Sequence, residues 1–293
     1  MQTRPVANTQ AAYRQNYPTT DQRNEYLARV VETEIIPRLL MVHRAAPVEP
    51  AQAPHPAVTL TLQDVAEFAE LLLADDPAAL SARVDSWRAR GASVENLFLG
   101  LFTESARYLG SLWGSDACNF CEVTFAMWRL QVLLHELSPA FQCEGGPIKV
   151  NGRRVLLSPI VHEQHTFGLL LVAEFFRRDG WDVCSHLPAA NEHLVEAVRS
   201  EWVDLAGLTV GGDTTLGDLS QLIDAVRRAS MNKRLRVMVG GSVFVQKPEL
   251  ALAVGADFAA RDASEAVLFA DRMVAEAAST QPTCGRIHKG TGD

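Results

Sequence analysis

The sequence contains no apolar run long enough to span a bilayer, and Met1 to Pro18 lacks the compact hydrophobic stretch of a secretory leader. The expectation is therefore a cytoplasmic protein with no membrane association. A basic excess is also missing: 27 Lys and Arg face 35 Asp and Glu, a net charge of -8. An acidic chain does not concentrate on phosphate backbones, and the basic doublets Arg153-Arg154, Arg177-Arg178, Arg227-Arg228 and Lys233-Arg234 are short. No helix-turn-helix or winged-helix segment is evident, so autonomous DNA binding is not expected. Cysteine is scarce and odd in number. Five residues, of which only Cys118 and Cys121 are close, make no disulfide framework and read as reduced thiols.

What remains is a globular composition, 47% hydrophobic and 21% charged over 293 residues, enough for two domains. Residues 1–58 read as an extension and linker. Leu27, Val30, Val31, Ile35, Ile36, Leu39 and Leu40 recur at helical spacing, and four prolines follow between Ala45 and Pro56. Residues 59–140 read as a helical bundle. Thr61 and Asp64 resemble a capping box; Pro77 opens a second helix that Gly91 stops; Ser93 caps a third that breaks at Gly114-Ser115-Asp116; a fourth runs from about Glu122 to Leu137.

Beyond Gly145-Gly146-Pro147 strands and helices alternate. Val155–Val161, Trp181–Leu187, Val203–Val210, Leu235–Val239 and Ala256–Ala260 are short apolar strands with helices between them. Five such strands predict a flavodoxin-like, doubly wound parallel sheet over 150–278, preceded by the helical cap and followed by a loose tail, 279–293. Ligands of such sheets bind at the carboxyl ends of the strands.

The loop after the first strand reads His162-Glu163-Gln164-His165-Thr166-Phe167-Gly168. An imidazole with a carboxylate two residues away has the makings of a metal ligand, because the carboxylate holds the other ring nitrogen and sets the tautomer. Gly168 leaves room beside a bulky ligand. Strand three ends in Gly207-Leu208-Thr209-Val210-Gly211-Gly212 and strand four in Val239-Gly240-Gly241-Ser242. Both place small residues or a hydroxyl at the edge that carries His165, and Thr209 is suited to bonding a heterocycle nitrogen.

This order of motifs, completed by Gly255-Ala256-Asp257, resembles the cobalamin-binding domain, whose lower-ligand motif is Asp-x-His-x-x-Gly. The bundle resembles the helical cap of B12 photoreceptors, and Glu-x-His-Thr-Phe-Gly with Trp113, Asp116, Phe120 and Val123-Thr124 resembles the AerR/PpaA-type regulators of bacterial photosynthesis genes. The resemblance implies cobalamin in an adenosyl-, methyl- or hydroxo- form, with His165 on cobalt. Glu163, Thr166, Phe167, Gly168, Thr209, Gly211, Gly240, Gly241 and Ser242 would surround the lower face, and Trp113 and Met127 would cover the upper one. It implies a light- or redox-responsive antirepressor that acts through a transcriptional repressor protein. Haem or a bilin on the same scaffold, a corrinoid methyl carrier and a homo-oligomer are compatible alternatives.

The chain departs from the family pattern at three places. Glu163 replaces the motif's Asp and adds a methylene, which predicts an indirect hydrogen bond to His165. Thr209-Val210-Gly211 stands where the domain has Ser-x-Leu. The Trp-x9-Glu-His of light-dependent DNA-binding repressors is replaced by Trp113 followed after eight residues by Glu122-Val123, so the upper-ligand histidine is missing. Elsewhere His135 reads as a bundle residue, His162, His186 and His193 as surface residues, and His43 and His55 as part of the extension.

Overall fold

The computed structural model describes residues 60–279 apart from 75, 148, 162, 164, 186–190 and 212–215. They lie within one compact unit, Pro56–Asp293. The helix and proline-rich linker predicted in the extension fall outside the described residues, as do His43, His55, His162, His186 and Gly212.

Local chemistry sets the helix starts of the cap. Helix α1 (Leu62–Leu73) opens on a capping box in which Thr61 Oγ1 accepts from Asp64 N–H at 3.2 Å and Asp64 accepts from Thr61 N–H at 2.9 Å. Helix α2 (Pro77–Ala89) has Asp76 as N-cap and Pro77 in its first turn, and Gly91 leaves it at φ +93°. Helix α3 covers 94–114. Ser93 caps its first turn, Val94–Asn96; a π-helical stretch, Leu97–Phe102, follows, and α-geometry resumes over Thr103–Gly114. The wider turn brings Leu97, Phe98, Leu101 and Phe102 into the core together, all four fully buried.

Helix α4 (Phe120–Glu144) is capped by Asn119 and Glu122 and continues through Pro139 to Gly145. An internal proline costs about 3 kcal/mol, so something beyond it must compensate. The ring of Phe141 lies 4.9 Å from Phe98 and 4.7 Å from Phe175, Gln142 donates to the Glu174 carboxylate at 2.9 Å, and Glu144 accepts from Val94 N–H at 2.8 Å. These contacts carry the helix past the predicted end at Leu137. His135, expected within the bundle, is exposed on the outer side of α4.

The second layer is the α/β unit. Its strands are β1 (Arg154–Pro159), β2 (Asp182–Ser185), β3 (Leu205–Thr209), β4 (Arg236–Gly240) and β5 (Phe258–Ala259), all parallel in the order β2-β1-β3-β4-β5. The helices are α5 (Phe167–Arg178), α6 (Asn191–Ser200), α7 (Leu216–Ala229), two short ones, α8 (Ser242–Gln246) and α9 (Leu250–Ala253), and α10 (Ala263–Ser279). On one face of the sheet α6 and α7 bury Leu194, Val198, Leu219 and Ile223. On the other, α5 and α10 bury Phe176, Ala266 and Ala270. The opposite side of α5 presents Phe167, Leu171 and Phe175 to the core of the cap. Helix α5, with Ala263 of α10 beside it in the core of the cap, therefore joins the two layers. Gly207, expected at the ligand edge, lies within β3 instead, where a side chain would come within 2.6 Å of Leu157 and 2.9 Å of Met238. Among the described residues no helix is long and apolar enough to cross a membrane.

The Gly-Ala-Asp motif lies at the amino end of β5, away from the edge that carries His165. Asp257 accepts from Val237 N–H at 2.7 Å, Arg227 at 2.7 Å and Arg236 at 2.8 Å. Burial pushes this carboxyl up, but the backbone N–H and the two guanidinium groups outweigh it and hold Asp257 below the ordinary aspartate value of 3.8. A lowered carboxyl stabilises the fold fully above the unfolded-state value and loses that contribution as pH falls through the folded one. Urea unfolding between pH 5 and about pH 2 is expected to show an acid loss of stability that is shallower in Asp257→Asn.

Candidate functional site

The strand register brings three loops to one level. Pro159 pairs with Thr209 and Thr209 with Gly240, so β1, β3 and β4 release the chain side by side at their carboxyl ends. Strand order reverses between β1 and β3, which is where a doubly wound sheet opens a crevice.

The first loop is pinned at its base. Ile160 N–H donates to Thr209 O at 3.2 Å, Val161 N–H to Asn191 Oδ1 at 3.4 Å, and Glu163 N–H to Ile160 O at 3.0 Å. The turn buries the Glu163 side chain to 7% exposure while that of His165 stands 79% exposed. Glu163 Oε1 accepts from His165 N–H at 2.7 Å and lies 2.7 Å from His165 Nδ1. The expected indirect link is thus corrected to a direct one, because the longer side chain folds back against its own loop. An ionised carboxylate only accepts, so in the neutral ring Nδ1 carries the proton and Nε2 the lone pair. That is the state of an imidazole ready to ligate a metal.

The other two loops hold this arrangement from behind. Gly211 faces the pair, and a Cβ there would fall 2.5 Å from Glu163 Oε2. Gly241 adopts φ +109°, and its Cβ would fall 1.9 Å from Val210 O. Ser242 Oγ donates to Gly211 O at 3.0 Å. Thr209 is buried at the strand end, Gly240 and Thr166 are half-buried, and Phe167 is buried in the core of the cap. Gly168 is exposed, with open space where a Cβ would project. These residues suit a flat ligand: glycine backbone on one side, one outward imidazole, and no side chain over Gly168. A lone imidazole offers a single donor, which fits a metal whose other ligands come from a macrocycle.

In the cap, Trp113 is 48% exposed near the end of α3 and meets Phe120 edge-on, with ring centroids 6.5 Å apart. Met127 is half-buried against the core of the cap. Sequence reasoning did not assign Phe120 or Asn191 to the site. Phe120 follows the N-cap Asn119, and its place beside Trp113 depends on the turn at Asp116, which takes φ +57°. Cys118 is half-buried and Cys121 exposed, both as free thiols.

The model of the B12 binding domain matches residues 153–268, which begin just before β1 and end within α10. An uncharacterized 20.5 kDa protein of the bchF-crtJ intergenic region of Rhodobacter capsulatus is 34% identical over 181 residues, 61% of this chain and 93% of that protein. The chain belongs to one family with that protein, and its residues 153–268 are a B12-binding domain. Among solved structures, the monomethylamine corrinoid protein of Methanosarcina barkeri superposes with a TM-score of 0.59 at 15% identity, covering 70% of this chain and 95% of that one. This likeness establishes the shared fold of the B12-binding domain and its helical neighbour. A cobalamin-binding protein from Desulfitobacterium hafniense aligns at a TM-score of 0.39 and 19% identity, over 72% of this chain and 98% of that one, and adds nothing to the fold argument.

Proposed function

We propose that this protein is a cobalamin-binding sensory regulator that controls gene expression through a transcriptional repressor partner. The observation that carries the reading is the exposed His165 imidazole, oriented by the buried Glu163 carboxylate at the switch point of a B12-binding domain. His165 Nε2 would hold the cobalt. Gly211, Gly240, Gly241 and Ser242 would line the cofactor's site in the α/β domain, and Trp113 and Phe120 would be the cap residues to meet it. Bound cobalamin would supply a metal centre whose upper ligand is exchangeable by light or by redox change. The chain's part is to sense that exchange: cap residues that contact the upper ligand in one state and not in the other shift the balance between two cap positions.

Two features favour regulation over methyl carriage. The relative encoded between bchF and crtJ belongs to a photosynthesis gene region, the setting of the regulators that the cap and His loop resemble. The cap also presents an exposed aromatic pair, Trp113 and Phe120, suited to cover a bound cofactor, which a methyl carrier would leave accessible. The test is the absorption spectrum of protein purified from a cobalamin-supplied host, in darkness and after illumination or reduction. A cobalamin spectrum that changes with light or redox state is expected. Haem or bilin extracted from the protein, or methyl transfer from it to a thiol or folate acceptor, would replace this reading.

A further inference from the structure

Gly211 borders both members of the His165–Glu163 pair. A Cβ at this position would sit 2.5 Å from Glu163 Oε2, 3.1 Å from Glu163 Cδ and 3.0 Å from His165 Nδ1. The first distance is shorter than any ordinary contact, so a side chain at 211 would displace the Glu163 carboxylate, the mobile end of a flexible side chain, from its present place. The backbone of Gly211 is tethered at its carbonyl and on its amino side. Its carbonyl is held by Ser242, and the preceding Val210 is locked by its N–H bond to Gly240 O at 3.0 Å and by the close approach of Gly241.

We propose that Gly211 is a positioning residue for His165. The volume its missing side chain leaves is where the Glu163 carboxylate must stand to hold Nδ1, and Ser242 fixes that volume in place. Glu163 and Gly211 form one coupled unit: the extra methylene of a glutamate reaches the imidazole from a buried position only while residue 211 has no Cβ. The loop after β4, which has no described contact with His165, thereby controls which ring nitrogen faces a ligand.

The proposal rests on His165 being the axial ligand, but its primary readout does not. In ligand-free protein, long-range ¹⁵N–¹H spectra of the histidine ring report the fraction of His165 protonated at Nδ1. The wild type is expected to be mostly Nδ1–H. Gly211→Ala is expected to lose that preference, and Glu163→Asp/Gly211→Ala to regain most of it, because the shorter carboxylate clears the added methyl. Hydroxocobalamin affinity should follow, falling about 10-fold in Gly211→Ala, the lower end for disturbing a ligand's supporting hydrogen bond, and recovering in the double variant. If Gly211→Ala does not fold while the double variant does, the steric coupling is upheld. An unchanged tautomer in Gly211→Ala, or a double variant no better than the single one, overturns the proposal. A restored tautomer in a protein that binds no cobalamin would uphold the positioning role and reject the cofactor assignment.

Discussion

Replacing His165 with alanine is expected to abolish the imidazole-dependent features of the cobalamin spectrum and to weaken retention of the cofactor by about 100-fold or more. The magnitude follows from ordinary metal sites, where disturbing only the residue behind a ligating histidine costs about 10–100-fold, so removing the ligand should cost at least the upper end. The variant is informative because the His165 side chain is 79% exposed and Glu163, its partner, keeps the backbone N–H of residue 165. Its truncation should leave the unfolding free energy within about 0.5 kcal/mol of wild type. A binding loss can therefore be separated from a folding loss. Glu163→Gln provides the graded comparison: its amide oxygen can still accept from Nδ1, but the charge that favours this tautomer is gone. Titration with hydroxocobalamin should rank wild type above Glu163→Gln and Glu163→Gln above His165→Ala. Equal affinities for all three would show that the imidazole is not the ligand.

Phe141→Ala is expected to be the most destabilising single truncation at the seam between the layers, costing about 3–5 kcal/mol. Its ring is fully buried past Pro139, where it bridges Phe98 of the cap and Phe175 of α5. The guanidinium of Arg178 lies 3.9 Å above the same ring and 4.9 Å from that of Phe175, so the truncation also removes a cation–π contact. By contrast Trp128→Ala, at a residue 60% exposed on α4, should change stability by no more than about 0.5 kcal/mol. Hydrogen exchange adds a second reading. In the wild type the amides of α4 and of β1 and β3 are expected to open together, since α5 contributes to both hydrophobic cores. In Phe141→Ala the cap amides should open first while the sheet stays protected. Joint opening in the variant would place the coupling elsewhere in α5 or in α10, which also enters both cores.

Much of the architecture was legible because it depends on short-range rules. Helix starts at Thr61, Pro77 and Ser93, the stop at Gly91, and the alternation of apolar strands with helices all rest on residues within a few positions of one another. Boundaries were less legible where distant contacts compete with a local signal. The fourth helix is expected to end at Leu137, yet Phe141, Gln142 and Glu144 each find partners on other elements and the helix runs on through Pro139. Nothing in Leu97–Phe102 announces a π-helical stretch, because that geometry answers to the core the four apolar side chains enter.

The candidate site divides along the same line. The sequence alone determined that a histidine with a nearby carboxylate follows the first strand of a parallel sheet, and that glycines follow the third and fourth strands. Those facts need only hydrophobic periodicity and chain order. The tertiary structure decided that Glu163 reaches His165 directly, that Gly211 leaves the space for it, and that Gly207 and Gly255-Ala256-Asp257 serve the core and the far edge instead. The reason is physical: a loop's role depends on what stands within a few ångströms of it, and for Gly211 those neighbours come from residues about 50 positions earlier and 30 later in the chain.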